Sequence, residues 1–488
     1  MMVALKRDLK QWEIGPLHII AFLTLLQLFI TLLTDGFALS FDEAIWQYIG
    51  RNWFRHGLVP YAGGVDNKSP LMFAIYGLSD HLFGVNYWFS RVLGTICQSV
   101  GIYYVYKIAL HLSHRKTALL AISLYGLSLL WHVTSGKYVS YTETYEMTFV
   151  IISVYYALTA ENKTGLFIGG AMAGIGLAFR ISAFFAILAV LVYLVRKSFN
   201  GSVVFCLGII SSATILLLTA YLSGIHLSDL YTYSFADNFN SGSPYHHSFL
   251  WKMEQFSDKF LYSELVLLYP LAIAYGLIVK RVDLFVLWLI FAFMAIVFIG
   301  EFPREHLKEL LPAFALINAF ALGHLTDVYG LPFKAIMLVT WIVFFPKLME
   351  PLLNLKSLLS HRADTGVETC TQPYTWPDEG NRKKLGWWVR DHTTDQQKVF
   401  VAGFGAQIQA YSERRSVYFN EMQTPLANQK LFKDLEVNKP DMILMPLYPQ
   451  YQAYIGPEVR NFVDSLVAGH YQLYNCLFSY HVYKLKQP

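Results

Sequence analysis

The chain has 488 residues, of which 55% are hydrophobic and only 15% charged, and its mean hydropathy is +0.38. Soluble proteins usually carry about 25% charged residues, so this composition excludes an ordinary soluble protein and indicates several membrane-spanning helices. The formal net charge of +4 is small, and no basic stripe of the kind that binds nucleic acid is present. Four cysteines are too few for a disulfide scaffold or a clustered zinc site.

Apolar runs predict about eleven transmembrane helices. The first, Pro16–Leu33, is expected to remain as an uncleaved span, because it is long enough to cross a bilayer and no small-residue cleavage pattern follows it. The later predicted spans cover residues 92–110, 118–133, 147–160, 166–179, 184–195, 203–222, 265–279, 284–300, 310–325 and 335–348.

Basic residues in alternate connections predict the orientation, because short cytoplasmic loops collect lysine and arginine during insertion. They occur before the first span and in every second connection, at Lys6, Arg7, Lys10, Arg115, Lys116, Lys163, Arg196, Lys197, Lys280, Arg281 and Lys334. The N-terminus is therefore predicted to be cytoplasmic. The acid-rich loops predicted to lie outside are 34–91, 134–146, 223–264 and 301–309.

Hydropathy falls after residue 348, and this change predicts a domain boundary. Residues 1–350 would form a transmembrane domain with a long external loop at 34–91, and residues 351–488 a small α/β domain outside the membrane. The predicted strands of this domain are 399–405, 417–419, 442–445 and 480–484, with Gly403 and Gly405 in a turn that ends the first strand.

The cysteines fall into two groups. Cys97 and Cys206 lie in apolar segments and are expected to be small core residues. Cys370 and Cys476 share the C-terminal region and could pair if that region faces an oxidising compartment. Their separation in space does not follow from the sequence, so pairing and free thiols both remain open.

An acidic pair, Asp42 and Glu43, lies shortly after the first predicted span. One interpretation is a solvated helix start, in which Ser40 or Asp42 caps an amphipathic helix whose aromatic residues, as far as Trp53, lie at the membrane interface. The other is a catalytic carboxylate, because ionised groups next to hydrocarbon are costly and are usually retained for function.

A second charged cluster, Asp66-Asn67-Lys68, precedes Ser69-Pro70 and an apolar segment. Pro70 should hold Ser69 in an extended conformation and begin the next helix. Lys68 would then be held near the mouth of the helical bundle. A lysine at that position could bind a phosphate as a point charge.

Two charged residues lie beside predicted spans. Glu143 follows Tyr141-Thr142 just before the span 147–160, either as a solvated loop acid beside Glu146 or as part of a site. Arg180 follows the apolar run 166–179 and precedes another. An arginine at that depth must snorkel to the surface, pair with an acid or face a wet cavity.

The short loop before the predicted span 310–325 carries Arg304 and His306. Arg304 could bind phosphate through paired donors, and His306 could contact phosphate, sugar or metal; alternatively, the loop is only a solvated connection. Asp66, Glu143 and His306 would suit a divalent metal if they converged. No metal or other cofactor is predicted to be required, and a metal site remains unknown.

These segments resemble the GT-C membrane glycosyltransferases that take sugars from polyprenyl phosphates, in the branch of the protein O-mannosyltransferases and the lipid A aminoarabinose transferase. The motifs that carry the resemblance are Phe41-Asp42-Glu43, residues 66–71, Tyr141-Thr142-Glu143 and the Arg/His segment at 304–306. The family usually has Lys-Pro-Pro preceded by an acid in the second motif. Here Ser69 replaces the first proline, and the acid lies two positions before the lysine.

The resemblance implies a polytopic GT-C fold with its catalytic loop at 34–91, and a role for each candidate residue. Asp42 would be the general base that deprotonates the acceptor hydroxyl, with Glu43 in support. The residues expected to bind the donor phosphate are Lys68, Arg180 and Arg304. Those expected to support the substrate are Asp66, Glu143 and His306. Direct displacement assisted by one base would invert the anomeric centre.

The implied partners are a polyprenyl (undecaprenyl) phosphate-sugar donor, the lipid bilayer, and an acceptor hydroxyl on a lipid, a glycan or a protein. The resemblance favours the bacterial inner membrane, with the site and the C-terminal domain on the periplasmic side. That domain is expected to cover the site or to recruit the acceptor. The alternative function is a transporter or flippase, which should show inverted repeats and broken helices that the sequence does not display.

Overall fold

The computed structural model of the chain describes residues 15–33, 37–130, 139–236, 248–261, 283–299, 304–353, 366, 368–370, 377–403, 405–419, 425–448 and 457–486. These residues belong to two compact units. The helical unit comprises Met1–Thr31, Arg91–Ile215 and His247–Leu353. The mixed unit comprises Leu32–Ser90, Leu216–His246 and Asn354–Pro488.

Helices account for most of the described chain before residue 354. In order they are α1 (Pro16–Leu33), α2 (Phe41–His56), α3 (Pro70–Phe83), α4 (Trp88–Leu112), α5 (Arg115–Ser128), α6 (Thr142–Thr159), α7 (Lys163–Phe179), α8 (Ala183–Lys197), α9 (Phe199–Leu222), α10 (Leu227–Tyr231), α11 (Phe249–Leu261), α12 (Asp283–Ile299), α13 (Leu311–Tyr329) and α14 (Phe333–Leu353). A π-helical turn, Thr232–Ala236, follows α10, and a 3₁₀ helix, Arg304–Glu309, precedes α13.

Every predicted span that falls on described residues coincides with a helix, and the predicted span 265–279 lies outside them. Within the described chain, α1, α9 and α13 have both the length and the apolar composition needed to cross a membrane. Helices α7, α12 and α14 contain shorter apolar stretches. The number of crossings and their orientation therefore stay predictions.

The helical unit is held together by a continuous apolar core. Its buried side chains come from α1, α4 to α9, α12 and α13, and those of α5 are almost all buried. Helices α1 and α9 instead leave many large apolar side chains exposed, including Leu25, Ile210 and Ile215. An apolar outer surface of this kind suits a lipid environment better than water.

In the mixed unit, α2 and α3 pack closely against each other. Gly50 of α2 meets Gly77 of α3, and a Cβ added to either glycine would collide with the backbone of the other helix. The guanidinium of Arg51, the next residue of α2, forms an ion pair at 2.7 Å with Asp80, which lies three residues after Gly77 in α3, and both side chains are buried. Arg55 also contacts the Asp80 carboxylate, at 2.9 Å.

The C-terminal part of the mixed unit contains a four-stranded sheet. Its helices are α15 (Glu379–Asp391), α16 (Ala406–Ser412), α17 (Pro425–Val437) and α18 (Pro457–His470), and its strands are β1 (Val399–Val401), β2 (Met442–Pro446), β3 (Tyr471–Leu477) and β4 (Tyr480–Leu485). Strands β1, β2 and β4 fall on predicted strands of the small α/β domain, and β3 does not. The strand order is β1-β2-β4-β3, with β1 and β2 parallel and the other pairs antiparallel.

Two details of the predicted C-terminal domain have different outcomes. The turn at Gly403 is confirmed, since β1 ends at Val401 and Gly403 has a φ of +57°. The predicted strand 417–419 is wrong. Its backbone bonds are made elsewhere than in the sheet: the carbonyl oxygen of Phe419 accepts from the Val65 amide of the α2–α3 connection at 2.9 Å.

Cys370 and Cys476 form a disulfide that joins the segment before α15 to β3. Cys97 and Cys206 are free and partly buried in helices, in agreement with their predicted packing role. The assignment of residues 1–350 and 351–488 to membrane and soluble domains stays a prediction. Within the structure, residues 32–90 associate with the C-terminal segment in one compact unit.

Candidate active site

The acidic pair lies in the first turn of α2, where it has two different environments. Ser40 is the N-cap, and its amide donates to Glu43 Oε2 at 2.9 Å while its hydroxyl accepts from the Glu43 amide. This reciprocal arrangement is a capping box, which satisfies backbone donors at the start of a helix. Tyr76 of α3 also donates to Glu43 Oε1, at 3.4 Å. The fully buried Glu43 carboxylate is therefore part of the structure that begins α2.

Asp42 precedes Glu43 by one residue and is partly exposed. One helical residue corresponds to a rotation of about 100°, so neighbouring side chains point in different directions. Negative charge is stabilised at a helix N-terminus by the macrodipole. The structure thus gives this helix start one buried carboxylate that caps the helix and one that reaches the surface of the mixed unit.

The connection between α2 and α3 is held by hydrogen bonds from three aromatic or hydroxyl side chains. The buried carboxylate of Asp66 accepts from Trp46 Nε1 at 2.9 Å. The carbonyl oxygen of Lys68 accepts from the hydroxyls of Tyr61 at 2.9 Å and Ser234 at 3.0 Å. The backbone that carries Lys68 is therefore fixed at two points.

The Lys68 side chain itself is partly exposed, and its ammonium donates to Asn67 Oδ1 at 2.5 Å. Ser69 has the extended conformation (φ −73°, ψ 155°), and Pro70 is the first residue of α3. Both features confirm the prediction from the Ser-Pro sequence.

In the helical unit, Arg180 lies among three carboxylates. It is the residue after α7, with an extended backbone, and only Ile181 and Ser182 separate it from α8. Its guanidinium contacts Glu143 directly, and its Nε lies 3.3 Å from Glu309 and 3.9 Å from Glu146. Of the options that the sequence left for this arginine, the structure shows pairing with acids.

Ser182 links the members of this cluster. Its hydroxyl accepts from Arg180 Nε at 2.7 Å and lies within hydrogen-bonding distance of Glu309, at 2.9 Å, and of Glu146, at 3.4 Å. Glu143 and Glu146 are one helical turn apart on the same face of α6, which explains why both reach the arginine. The cluster combines residues of α6, of the connection between α7 and α8, and of the 3₁₀ helix.

The 3₁₀ helix Arg304–Glu309 brings two further groups, those of His306 and Lys308, to this region. His306 Nε2 lies 3.5 Å from Glu143 Oε1. The buried ammonium of Lys308 donates to Thr144 of α6 at 3.2 Å. Arg304 is the first residue of this helix.

Burial shifts the pKa values of two side chains at the end of the 3₁₀ helix, Lys308 and Glu309. It lowers the pKa of Lys308 to about 7, although Glu305 acts in the opposite direction. Burial also raises the pKa of Glu309, while Arg180 and the Ser182 hydroxyl oppose that change. Two adjacent ionisable groups are thus both shifted towards their neutral forms.

The candidate residues separate into two groups by unit. Asp42, Glu43, Asp66 and Lys68 lie in the mixed unit, and Glu143, Arg180 and His306 meet in the helical unit. Among the described residues there is no cluster of three His, Cys, Asp or Glu side chains arranged for a metal ion.

Sequence reasoning missed several residues that the structure places in these groups. Glu146, Ser182, Lys308 and Glu309 all take part in the helical-unit cluster. An available signal was the Lys-Glu pair directly before an apolar span, where charge is costly without a partner. Trp46, which donates to Asp66, is one of the aromatic residues of α2 that the sequence places only at the membrane interface.

Comparison with known families supports the resemblance. Residues 67–222 match the sequence profile of the dolichyl-phosphate-mannose-protein mannosyltransferase family. This segment begins next to Lys68 and includes Glu143 and Arg180. No curated protein sequence matches the chain significantly.

Solved structures give the fold. ArnT from Cupriavidus metallidurans bound to undecaprenyl phosphate is 13% identical and has a TM-score of 0.64, over 95% of this chain and 97% of ArnT. The Archaeoglobus fulgidus oligosaccharyltransferase with zinc and sulfate is 12% identical and has a TM-score of 0.54, over 88% of this chain and 68% of that chain. This chain has the GT-C fold.

The GT-C fold is that of membrane glycosyltransferases, so the resemblance inferred from the sequence is confirmed. A further similar structure is the archaeal oligosaccharyltransferase AglB from A. fulgidus in complex with an inhibitory peptide and a dolichol-phosphate. It is 12% identical, with a TM-score of 0.51 over 95% of this chain and 73% of AglB. At these identities the structural likeness shows the GT-C fold and no more.

Proposed function

We propose that this GT-C protein is an inverting glycosyltransferase that moves a sugar from a polyprenyl phosphate to an acceptor hydroxyl, with Asp42 as the general base. The observation that carries the proposal is that the two adjacent carboxylates in the first turn of α2 have different environments. Glu43 is buried and caps the helix, whereas Asp42 is partly exposed beside it. An acceptor hydroxyl can reach a carboxylate in the second environment.

The chemistry requires a base and positive charge. The acceptor hydroxyl loses its proton as it attacks the anomeric carbon, and a carboxylate within hydrogen-bonding reach can accept it. The lipid phosphate leaves as an anion and is stabilised by cations rather than by a general acid. Lys68 supplies such a charge on a backbone held by Tyr61 and Ser234. Arg180 and Arg304 remain predicted phosphate ligands.

The C-terminal disulfide supports an extracytoplasmic location, because disulfides persist in oxidising compartments. It agrees with the orientation predicted from the basic connections. We place the reaction at the outer face of a membrane, in bacteria the periplasmic face of the inner membrane. The acceptor would be a lipid, a glycan or a protein.

The test is transfer of radiolabelled sugar from a panel of undecaprenyl-phosphate donors to membrane extract by the purified protein and its Asp42→Asn variant. The variant should lose about 10²- to 10⁴-fold in transfer rate, the usual contribution of a general base. Asp229→Asn is the matched control, because Asp229 lies in the first turn of α10 in the same unit. It should leave the rate unchanged.

The two parts of the proposal can fail separately. Full activity of Asp42→Asn would contradict the assignment of the base while leaving the enzyme class intact. If the folded wild-type protein transfers sugar from none of the donors, the glycosyltransferase proposal itself is wrong.

A further inference from the structure

The C-terminal part of the mixed unit contacts the backbone that leads into α2. The amide of Leu39 donates to the hydroxyl of Tyr411 in α16 at 2.9 Å. Two residues earlier, the carbonyl oxygen of Phe37 accepts from the ammonium of Lys383 in α15 at 2.8 Å. Both contacts lie within three residues of the N-cap Ser40, and they join segments more than 340 residues apart in the chain.

Phe37 has an unfavourable backbone conformation at this point. Its φ is +59°, in the left-handed region that residues other than glycine rarely adopt. Such a conformation is unfavourable and persists only where the surroundings hold it. Phe37 is buried, and the Lys383 ammonium is bonded to its carbonyl oxygen. The entry into α2 is therefore determined by tertiary contacts as well as by its own sequence.

The same C-terminal segment also contacts the body of α2. The Ser416 amide donates to the Tyr48 hydroxyl at 2.7 Å, and Arg51 Nη1 donates to the carbonyl oxygen of Ala410 at 2.8 Å. Helix α2 is thus held before its first turn, near its middle and one turn beyond. Contacts at several levels along one helix restrict its rotation and its translation along the axis.

Lys383 and Tyr411 are held next to each other. The Lys383 ammonium lies 4.7 Å from the centre of the Trp387 ring and 5.7 Å from that of Tyr411. The rings of Trp387 and Tyr411 are in edge contact, with centres 6.0 Å apart. These contacts leave the Tyr411 hydroxyl at the Leu39 amide and the Lys383 ammonium at the Phe37 carbonyl.

We propose that Tyr411 and Lys383 are positioning residues that set the place of Asp42 by holding the backbone at the entry to α2. The inference rests on the proposed function, in which Asp42 is the base. It assigns the C-terminal domain a part in the chemical step, in addition to the expected cover or acceptor role. A misplacement of a reacting group by about 1 Å can cost about 10²-fold in rate, so small shifts of this helix start would be measurable.

The first variant is Tyr411→Phe, which removes the hydroxyl and keeps the ring. We expect kcat to fall about 10- to 100-fold with the KM values for donor and acceptor changed less than about twofold. The matched control is Tyr448→Phe, a buried tyrosine of the same unit whose hydroxyl contacts Tyr480 at 3.3 Å. It should leave kcat unchanged. An equal loss in both variants would show a general effect on the domain and overturn the proposal.

A double variant separates this proposal from the proposed function. If Tyr411 acts through Asp42, Tyr411→Phe should cause no further loss in the Asp42→Asn background, because residues that act as a unit are not additive. A full additional loss would overturn the inference. A fully active Asp42→Asn would instead refute the base, and an inactive Asp42→Asn with normal Tyr411→Phe would refute only the positioning role.

Lys383 gives an independent test. Lys383→Met should lower kcat without changing KM, because it removes the donor to the Phe37 carbonyl and leaves the apolar stem. Lys383→Arg should restore most of the rate, since it keeps a charged donor. Failure of arginine to restore activity in a folded protein, or no loss with methionine, would contradict the role of Lys383.

Discussion

The acidic cluster around Arg180 in the helical unit and the charged pair Asp42 and Lys68 in the mixed unit have different environments, although the mixed unit also contains the buried ion pair of Arg51 and Asp80. In the helical unit, Glu143, Glu146 and Glu309 are buried around Arg180 and the hydroxyl of Ser182. In the mixed unit, the charges that matter most for the proposed reaction are partly exposed, at Asp42 and Lys68, and the structure holds their backbones instead.

The difference shows that a charged residue of a sequence motif can either be buried and stabilise the fold or be partly exposed and accessible to a substrate. Even adjacent residues can differ in this way. Buried charges are stable only when they are paired and hydrogen-bonded, so the residues of the helical unit depend on one another. Asp42 and Glu43 are neighbours in sequence, yet only Glu43 is used to begin the helix. Variants at these positions distinguish residues that stabilise the fold from residues that take part in the reaction.

Replacing Arg180 should have the largest effect on stability. Arg180→Met leaves three buried carboxylates without their cation, and breaking a buried ion pair in this way typically costs about 3–5 kcal/mol. Thermal unfolding in detergent measures this loss of stability. The control is Arg196→Met, at an exposed position near the end of α8, which should change stability by less than about 0.5 kcal/mol. A similar loss of stability in Arg180→Met and Arg196→Met would contradict the structural role of the buried Arg180 cluster.

The lowered pKa of Lys308 predicts that the stability of the helical unit depends on pH. Its pKa is lowered to about 7 in the folded protein from 10.5, so the unfolded chain binds more protons between these values. Stability from this group should therefore rise as the pH increases from 7 towards 10.5, by at most about 1.4 kcal/mol per pH unit. Melting curves at pH 7 to 9 should show a smaller rise for Lys308→Met. An equal rise would show that the pH dependence comes from other groups.

The smallest expected effect separates the neighbours Asp42 and Glu43. Glu43→Ala removes half of the capping box and the Tyr76 contact, and should lower stability by about 1 kcal/mol. Asp42→Ala should change stability little while abolishing transfer. The pair is compared by melting temperature and by sugar transfer on the same preparations. A stability loss at Asp42 equal to that at Glu43 would place both residues in the architecture.

Local features of this protein follow from short stretches of sequence. The predicted apolar spans that fall on described residues coincide with helices, Ser40 was one of the predicted caps of α2, and Pro70 begins α3 as expected. These features depend on hydropathy over one helix, on side chain to backbone hydrogen bonds within three residues, and on the restricted backbone of proline. The resemblance to GT-C glycosyltransferases also rests on short motifs, and the fold confirms it.

Only the tertiary structure decided which residues meet. Arg180 joins Glu309 across 129 positions of the chain, and Tyr411 reaches Leu39 across 372. The prediction of a strand at 417–419 was wrong for the same reason. Its residues favour strands, but the carbonyl oxygen of Phe419 bonds to the α2–α3 connection instead of to the sheet. Hydropathy and capping act within a helix, whereas the pairing of buried charges and the support of α2 depend on distant segments packing together, which no local pattern encodes.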